Sequence, residues 1–83
     1  MSEVMQMTLG QMESGQTGTI IQILGGRGLN QRLDALGIRP GKKVTKISTM
    51  LFHGPVTLRT DHTDVAVGFR MAHKILVEID TPA

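Results

Sequence analysis

A short helix that stops abruptly is the sequence feature that most constrains how this chain can fold. Leu29, Leu33 and Leu36 recur at the i, i+4 and i+7 spacing that places side chains on one face of a helix. Either Gly28 or Asn30 is expected as the N-cap, because both residue types are favoured there. The pattern therefore predicts one short helix with a single apolar face.

The end of this helix and the turn after it are equally well marked. Gly37 stands where many helices end in the left-handed conformation, and Ile38 is placed to contact Leu33 as in a Schellman motif. Pro40 and Gly41 then occupy the central positions of a type II turn, because proline presets φ and glycine accepts a positive φ. A tight reversal into a strand is expected.

The segment before the helix has the composition of a strand. Residues 17–24 (TGTIIQIL) are rich in β-branched side chains and bounded by glycines. Alternation would place Ile21 and Ile23 on one face, with Ile20 and Leu24 on the other. Ahead of this strand we expect a short extended lead-in whose side chains at positions 9 and 12 cover one end of the core.

The segments after the turn predict the rest of a sheet. Residues 43–50 indicate a strand with a bulge, because Val44 and Ile47 break strict alternation. Three shorter strands are then expected at 56–59, 65–67 and 75–79. Between them we expect a hairpin connection at 61–64 and one helical turn within 68–74, and after them a loose tail at 80–83. The fold class is mainly β with one short α-helix, a small, strongly bent barrel of about five strands. Residues 1–83 would form one domain with its core at about 7–79.

Composition excludes several classes of protein. The only aromatic residues are Phe52 and Phe69, which argues against a stacking platform for single-stranded nucleic acid. The absence of cysteine excludes a disulfide framework and thiolate chemistry, and it favours a cytoplasmic location. No basic leader precedes an apolar segment, and no apolar run approaches the roughly 20 residues that span a bilayer. The chain is expected to be neither exported nor embedded in a membrane.

The charges are distributed unevenly. Residues 27–46 carry a net charge of +5, whereas the rest of the chain carries −3. A basic segment can attract an acidic protein surface, an anionic lipid or nucleic acid, and charge alone does not choose among these. The simplest interpretation is a solvated helix and strand face.

The side chains that carry chemistry are scattered. No nucleophile stands beside a base and no carboxylates are paired, so no catalytic residue is predicted and the chain is not expected to be an enzyme. The glycine-rich loop at 25–28 lacks the residues of a nucleotide site. His53 and His62 are the candidate metal ligands, although their spacing matches no known ligand motif. No cofactor is required by the sequence, and bound Fe2+ is kept as an alternative hypothesis.

The order of these features resembles the FeoA family. The resemblance covers nearly the whole chain and is carried by Leu9, Met12, Gly15 and Gly18, by residues 32–41 (RLDALGIRPG) and by residues 72–77 (AHKILV). Two segments depart from the family pattern, namely the loop at 50–55 and the pair at 67–68.

The resemblance implies an SH3-like barrel and a cytoplasmic accessory role in ferrous iron transport beside FeoB, a membrane transporter with a cytoplasmic GTP-binding domain. Related barrels follow DNA-binding domains in metal-dependent repressors, but an autonomous repressor is not expected, since no helix-turn-helix pattern precedes this barrel.

The leading functional hypothesis is an adaptor that docks on the cytoplasmic region of a FeoB-like membrane iron transporter. An apolar tip rimmed by basic side chains suits such an interface. The residues expected to bind the partner are Arg32, Leu36, Gly37, Ile38, Arg39, Pro40, Gly41 and Lys42. The alternative to docking is that this block has only a structural task.

Two further classes of function are compatible with the sequence. One is a small metal-binding or metal-responsive regulatory module that uses histidine and carboxylate ligands, within one chain or between chains. The other is non-specific binding to nucleic acid through the basic segment, with no specific nucleic-acid partner expected. Homo-oligomerisation is left open by the sequence.

Overall fold

The computed structural model describes residues 3–49, 54–61 and 63–81. Within these ranges six strands and two helices follow one another, with a short 3-10 turn at Leu9–Gln11 after the first strand. Their bounds are β1 Glu3–Thr8, β2 Thr17–Ile23, α1 Gly26–Ala35, β3 Lys43–Thr49, β4 Val56–Thr60, β5 Thr63–Val67, α2 Phe69–Ala72 and β6 Ile75–Thr81.

All six strands form one antiparallel sheet in the order β1-β6-β2-β3-β4-β5. The mainly β class with one main helix is thereby confirmed. The strand that sequence reasoning did not count is β1, which was expected to be only a lead-in. It pairs with β6 along its full length, from Glu3 opposite Thr81 to Thr8 opposite Leu76. This pairing also corrects the loose tail predicted for 80–83 at its first two residues, because β6 continues to Thr81. Residues 82–83 lie outside the described residues.

The core is formed by buried apolar side chains that are all aliphatic apart from that of Met12. Leu9 and Met12 are buried at one end of it, as predicted. The remaining buried apolar side chains are Ile20, Ile23, Leu33, Ile38, Val44, Val56, Leu58, Val67, Ala72, Ile75, Val77 and Ile79.

The predicted faces of β2 are wrong. Ile20 and Ile23 are both buried, whereas Ile21 is half-buried and Leu24 is 48% exposed. The cause is a shift in the pairing with β6 between Ile20 and Gln22, which moves the residues after it to the opposite face.

Helix α1 begins earlier than predicted. The N-cap is Gly25, so neither Gly28 nor Asn30 occupies that position. A Cβ at position 25 would collide with the side chain of Leu29, which packs over this glycine. Asn30 lies one turn into the helix and donates its side-chain amide to the carbonyl oxygen of Gly26 at 2.6 Å.

The end of α1 is the predicted Schellman motif. Gly37 has φ +86°, and its amide donates to the carbonyl oxygen of Asp34 at 2.9 Å. The amide of Ile38 donates to the carbonyl oxygen of Leu33, also at 2.9 Å. Leu36 does not continue the buried face of the helix, because the helix ends at Ala35 and leaves this side chain 45% exposed.

The predicted turn and bulge after α1 are both present. Gly41 has φ +93°, and the amide of Lys42 donates to the carbonyl oxygen of Arg39 at 3.1 Å. Two further backbone bonds join the turn to Ile20 of β2, at 2.7 and 2.8 Å. In β3 the pairing with β4 shifts between Lys46 and Ser48, which is the bulge expected from the broken alternation.

The second half of the sheet is a hairpin followed by one helical turn. Thr60 pairs with Thr63, so the connection is shorter than the four residues predicted. Asp61 begins this connection with φ +51°, a conformation that aspartate tolerates better than most residues. Helix α2 is the single turn expected within 68–74, and it leads directly into β6.

Candidate docking surface

The residues predicted to bind a partner lie together where α1 ends and the turn into β3 begins. Most of them face solvent: Arg32, Leu36, Arg39, Pro40 and Gly41 are exposed, and Gly37 and Lys42 are half-buried.

Ile38 differs from the others, because its side chain is 0% exposed. It forms the hydrophobic contact of the Schellman motif and belongs to the core, so its inclusion in a docking surface is corrected. The residues that remain combine two exposed apolar side chains, Leu36 and Pro40, with three cations, Arg32, Arg39 and Lys42.

Two cations of this surface are neutralised by aspartates. Arg39 Nη1 lies 3.1 Å from Asp34 Oδ1, and both side chains are more than half exposed. Lys42 Nζ lies 2.7 Å from Asp61 Oδ2. Exposed pairs of this kind contribute only about 0–1 kcal/mol to stability, since solvent screens them.

Other cations of the same region have no carboxylate of the described chain nearby to compensate their charge. Among residues 3–49, 54–61 and 63–81, no carboxylate lies within ion-pair distance of Arg27, Arg32 or Lys43. All three side chains are exposed. These arginines and this lysine account for the positive character of the surface.

An open groove of about 280 Å3 lies between α1 and the turn, and we call it the α1 groove. Its lining is mostly carbon surface, with polar groups at the rim. The lining residues are Ile23, Arg27, Asn30, Gln31, Asp34, Arg39 and Pro40. Sequence reasoning placed only Arg39 and Pro40 in a site, although Arg27, Gln31 and Asp34 have the i, i+4, i+7 spacing of one helical face.

A second, more polar depression of about 250 Å3 lies on the outer face of the sheet. The hydroxyls of Thr17 and Thr45 are 2.9 Å apart there, beside Lys43. At its edge Arg59 makes two hydrogen bonds to the carboxylate of Asp64, at 2.7 and 3.2 Å. The hydrogen bond from Arg59 holds the pKa of Asp64 below its ordinary value of 3.8. Nothing in the sequence pattern singled out this depression.

One lysine is enclosed by the protein. Lys46, in β3, is 1% exposed, and burial lowers its pKa below the ordinary 10.5. Its Nζ donates to the carbonyl oxygen of Gly10 at 3.2 Å and to that of Met12. Sequence reasoning counted this residue among the solvated cations of the basic segment.

The described residues do not include the candidate metal ligands. His53 and His62 lie outside the described residues. Within the part of the chain that is described, no group of three or more histidine, cysteine, aspartate or glutamate side chains is placed to hold a metal ion. His73 is exposed, with Nδ1 3.4 Å from the hydroxyl of Thr8 and its ring against Phe69 at a centroid distance of 4.4 Å.

None of the helices in the described ranges is long and apolar enough to cross a bilayer. The longest, α1, has ten residues.

Comparison with protein families gives one match, to the family model described as the FeoA domain, over residues 7–79. No curated protein sequence matches the chain.

Several solved structures share this fold. A FeoA crystal structure described as an iron uptake regulatory protein is 29% identical, with a TM-score of 0.80 over 88% of this chain and 95% of that one. FeoA of Stenotrophomonas maltophilia, solved with zinc and described as a prokaryotic SH3 domain protein, is 19% identical, with a TM-score of 0.73 over 86% and 88% of the two chains. The predicted SH3-like fold is thereby confirmed.

The fold also matches part of a longer regulator. A manganese-dependent transcriptional repressor is 21% identical, with a TM-score of 0.81. The match covers 92% of this chain but only 42% of the repressor chain.

Proposed function

Because this chain belongs to the FeoA family, which is associated with ferrous iron transport, we propose that it is a non-catalytic, cytoplasmic accessory protein of Fe2+ transport that docks on the cytoplasmic region of a FeoB-like membrane transporter. The family match over residues 7–79 supports the transport role. The docking partner follows from the resemblance to the family and from the surface at the end of α1.

The observation that carries the docking proposal is the exposure of Leu36. A leucine that is 45% exposed at the end of the helix offers apolar area to a partner. Pro40, in the turn that follows, is also exposed, and Arg32 and Arg39 are exposed cations of the same block. An apolar centre with a polar rim is the usual arrangement of a protein interface.

The charges and the apolar centre have different tasks in this interface. Cations at a rim mainly raise the association rate with an acidic surface, and their effect falls as salt screens them. Burying the side chain of Leu36 against the partner would supply affinity, because a fully buried leucine contributes about 1.5–3 kcal/mol. A small interface with one such anchor suits a reversible regulatory contact.

The test is a calorimetric titration of this protein against the purified cytoplasmic region of a FeoB-like transporter, with and without GTP and Fe2+. Leu36→Ser should weaken binding by roughly tenfold or more, which corresponds to the lost burial of an apolar side chain. Arg32→Glu should slow association and reduce the salt dependence of the affinity. Leu24→Ser is the matched control, because Leu24 is similarly exposed but belongs to neither the α1 groove nor the turn.

Absence of binding to the transporter region under all conditions would contradict the proposal. Equal effects of Leu36→Ser and Leu24→Ser would contradict the assigned surface while leaving the partner in place.

The second hypothesis, direct binding of Fe2+ by His53 and His62, is distinguished by equilibrium dialysis. Retention of Fe2+ that is lost in the His53→Ala, His62→Ala double variant would favour it. Retention that the double variant does not change would exclude these two ligands.

A further inference from the structure

The α1 groove has two kinds of surface that suit two different parts of one ligand. Ile23, which is 8% exposed, and the ring of Pro40 contribute carbon surface. A volume of about 280 Å3 has room for an aliphatic side chain together with the backbone that carries it.

The charge at the rim selects the second part of the ligand. Arg27 and Arg39 line the groove together with a single carboxylate, that of Asp34. Asp34 is already bonded to Arg39 at 3.1 Å, whereas no carboxylate among the described residues lies within ion-pair distance of Arg27. The rim therefore has a net positive charge, and Arg27 is the group at which a negative charge from a ligand would be compensated.

We propose that the α1 groove is a specificity site for an internal acidic segment of the protein partner, in which an aliphatic side chain is adjacent to a glutamate or aspartate. The aliphatic side chain lies against Ile23 and Pro40, and the carboxylate pairs with Arg27. This proposal rests on the docking function, and it adds the chemistry by which the partner is recognised.

Capped peptides test this recognition without the partner. The probe is acetyl-Gly-Leu-Glu-Gly-amide, whose blocked ends leave the glutamate as its only charge. Titrated into the 15N-labelled protein, it should shift the backbone amides of the groove residues in a saturable way. The dissociation constant is expected to be on the order of a millimolar, as for other ligands of this small size.

Two altered peptides separate the two parts of the ligand. Replacing the glutamate by glutamine should weaken binding by roughly fivefold, because the ion pair with Arg27 is lost. Replacing the leucine by serine should weaken it by roughly tenfold, because apolar burial is lost.

Variants of the protein complete a double-mutant cycle. Arg27→Gln should bind the glutamate and glutamine peptides equally well, because the variant lacks the charge that distinguishes them. Arg70→Gln is the matched control, since Arg70 is an exposed arginine on α2 that does not line the groove. This control should preserve the full preference for glutamate.

The outcomes distinguish this proposal from the docking function. If the two peptides bind alike to the unaltered protein, or if Arg27→Gln keeps the preference for glutamate, the α1 groove is not an acidic-segment site. The docking function then still stands, provided that the transporter region binds in calorimetry. If the glutamate peptide is preferred and the transporter region does not bind, the groove chemistry stands and FeoB is not its partner.

Discussion

The side-chain nitrogen of Lys46 donates a hydrogen bond to the carbonyl oxygen of Met12 from a position that is almost closed to solvent. A second bond from the same nitrogen reaches Gly10. The backbone of Lys46 is also bonded to this connection, to the amide of Gly15 at 2.7 Å and to the carbonyl oxygen of Gln16 at 2.9 Å. One residue of β3 is therefore hydrogen-bonded to four residues of the connection between β1 and β2.

Lys46→Met is expected to lower the free energy of unfolding by about 1–3 kcal/mol. The variant keeps the aliphatic stem but leaves the carbonyl groups of Gly10 and Met12 without their donor. Urea unfolding measures the change, and Lys43→Met, at an exposed position of the same strand, should change stability by less than about 0.5 kcal/mol. A more stable Lys46→Met protein would mean that burying the charge costs more than its hydrogen bonds return.

The contribution of Lys46 to stability should increase with pH. Its pKa in the folded protein lies below 10.5 because burial disfavours the charged form. Between that lowered pKa and 10.5 the unfolded chain binds more protons than the folded one, so the free energy of unfolding rises with pH. The difference in stability between the unaltered protein and Lys46→Met should widen across this window. Urea unfolding at a series of alkaline pH values checks this, and a constant difference would contradict it.

Gly37→Ala is expected to destabilise the protein by about 1–2 kcal/mol, because a residue with a Cβ is strained in the left-handed conformation. The added Cβ meets only an ordinary contact, 3.7 Å from the hydroxyl of Thr60, so crowding is not the cause. Gly28→Ala is the matched control: position 28 is helical and has open space around it, so this change should stabilise by about 0.5–1 kcal/mol. Thermal unfolding compares the two, and equal effects would contradict the assignment of strain to Gly37.

Arg59→Gln is expected to return the pKa of Asp64 toward 3.8, because the hydrogen bond from Arg59 is the main cause of its depression. NMR titration of the Asp64 carboxyl carbon measures this directly. The depressed pKa means that the pair stabilises the fold above pH 3.8 and that this stabilisation is lost as the pH falls through the lower folded value. An unchanged pKa in the variant would show that Arg59 does not hold the carboxylate in solution.

The parts of the fold that could be predicted from the sequence are those decided by neighbours along the chain. Gly37 ends the helix, and Gly41 shapes the turn, because each provides a conformation that few other residues accept. The parts that could not be predicted depend on pairing between distant segments. Alternation alone assigned Ile21 to the wrong face, since the register shift between Ile20 and Gln22 is a feature of the pairing with β6 and not of the β2 sequence pattern.

The candidate site could be predicted only in part, because a local sequence pattern gives its position but not the direction of its side chains. The block around the helix end has a local pattern, so its position in the sequence could be found. Whether a side chain there faces a partner or the core depends on packing: Ile38 is enclosed and Leu36 is exposed, although both are apolar and only one residue separates them. Lys46 was counted as a solvated cation because the carbonyl groups that surround it come from a connection more than thirty residues away.

Glu3 and Thr81 face each other in the ladder between β1 and β6, so the polypeptide enters and leaves the sheet at the same place. A unit with adjacent ends can be appended to another domain, or inserted into a loop of one, without breaking any strand pairing. In the manganese-dependent repressor a unit of similar fold corresponds to 42% of the chain. Gene fusion is therefore a change that this architecture accommodates easily, and permuting the chain by joining the two ends should preserve every strand.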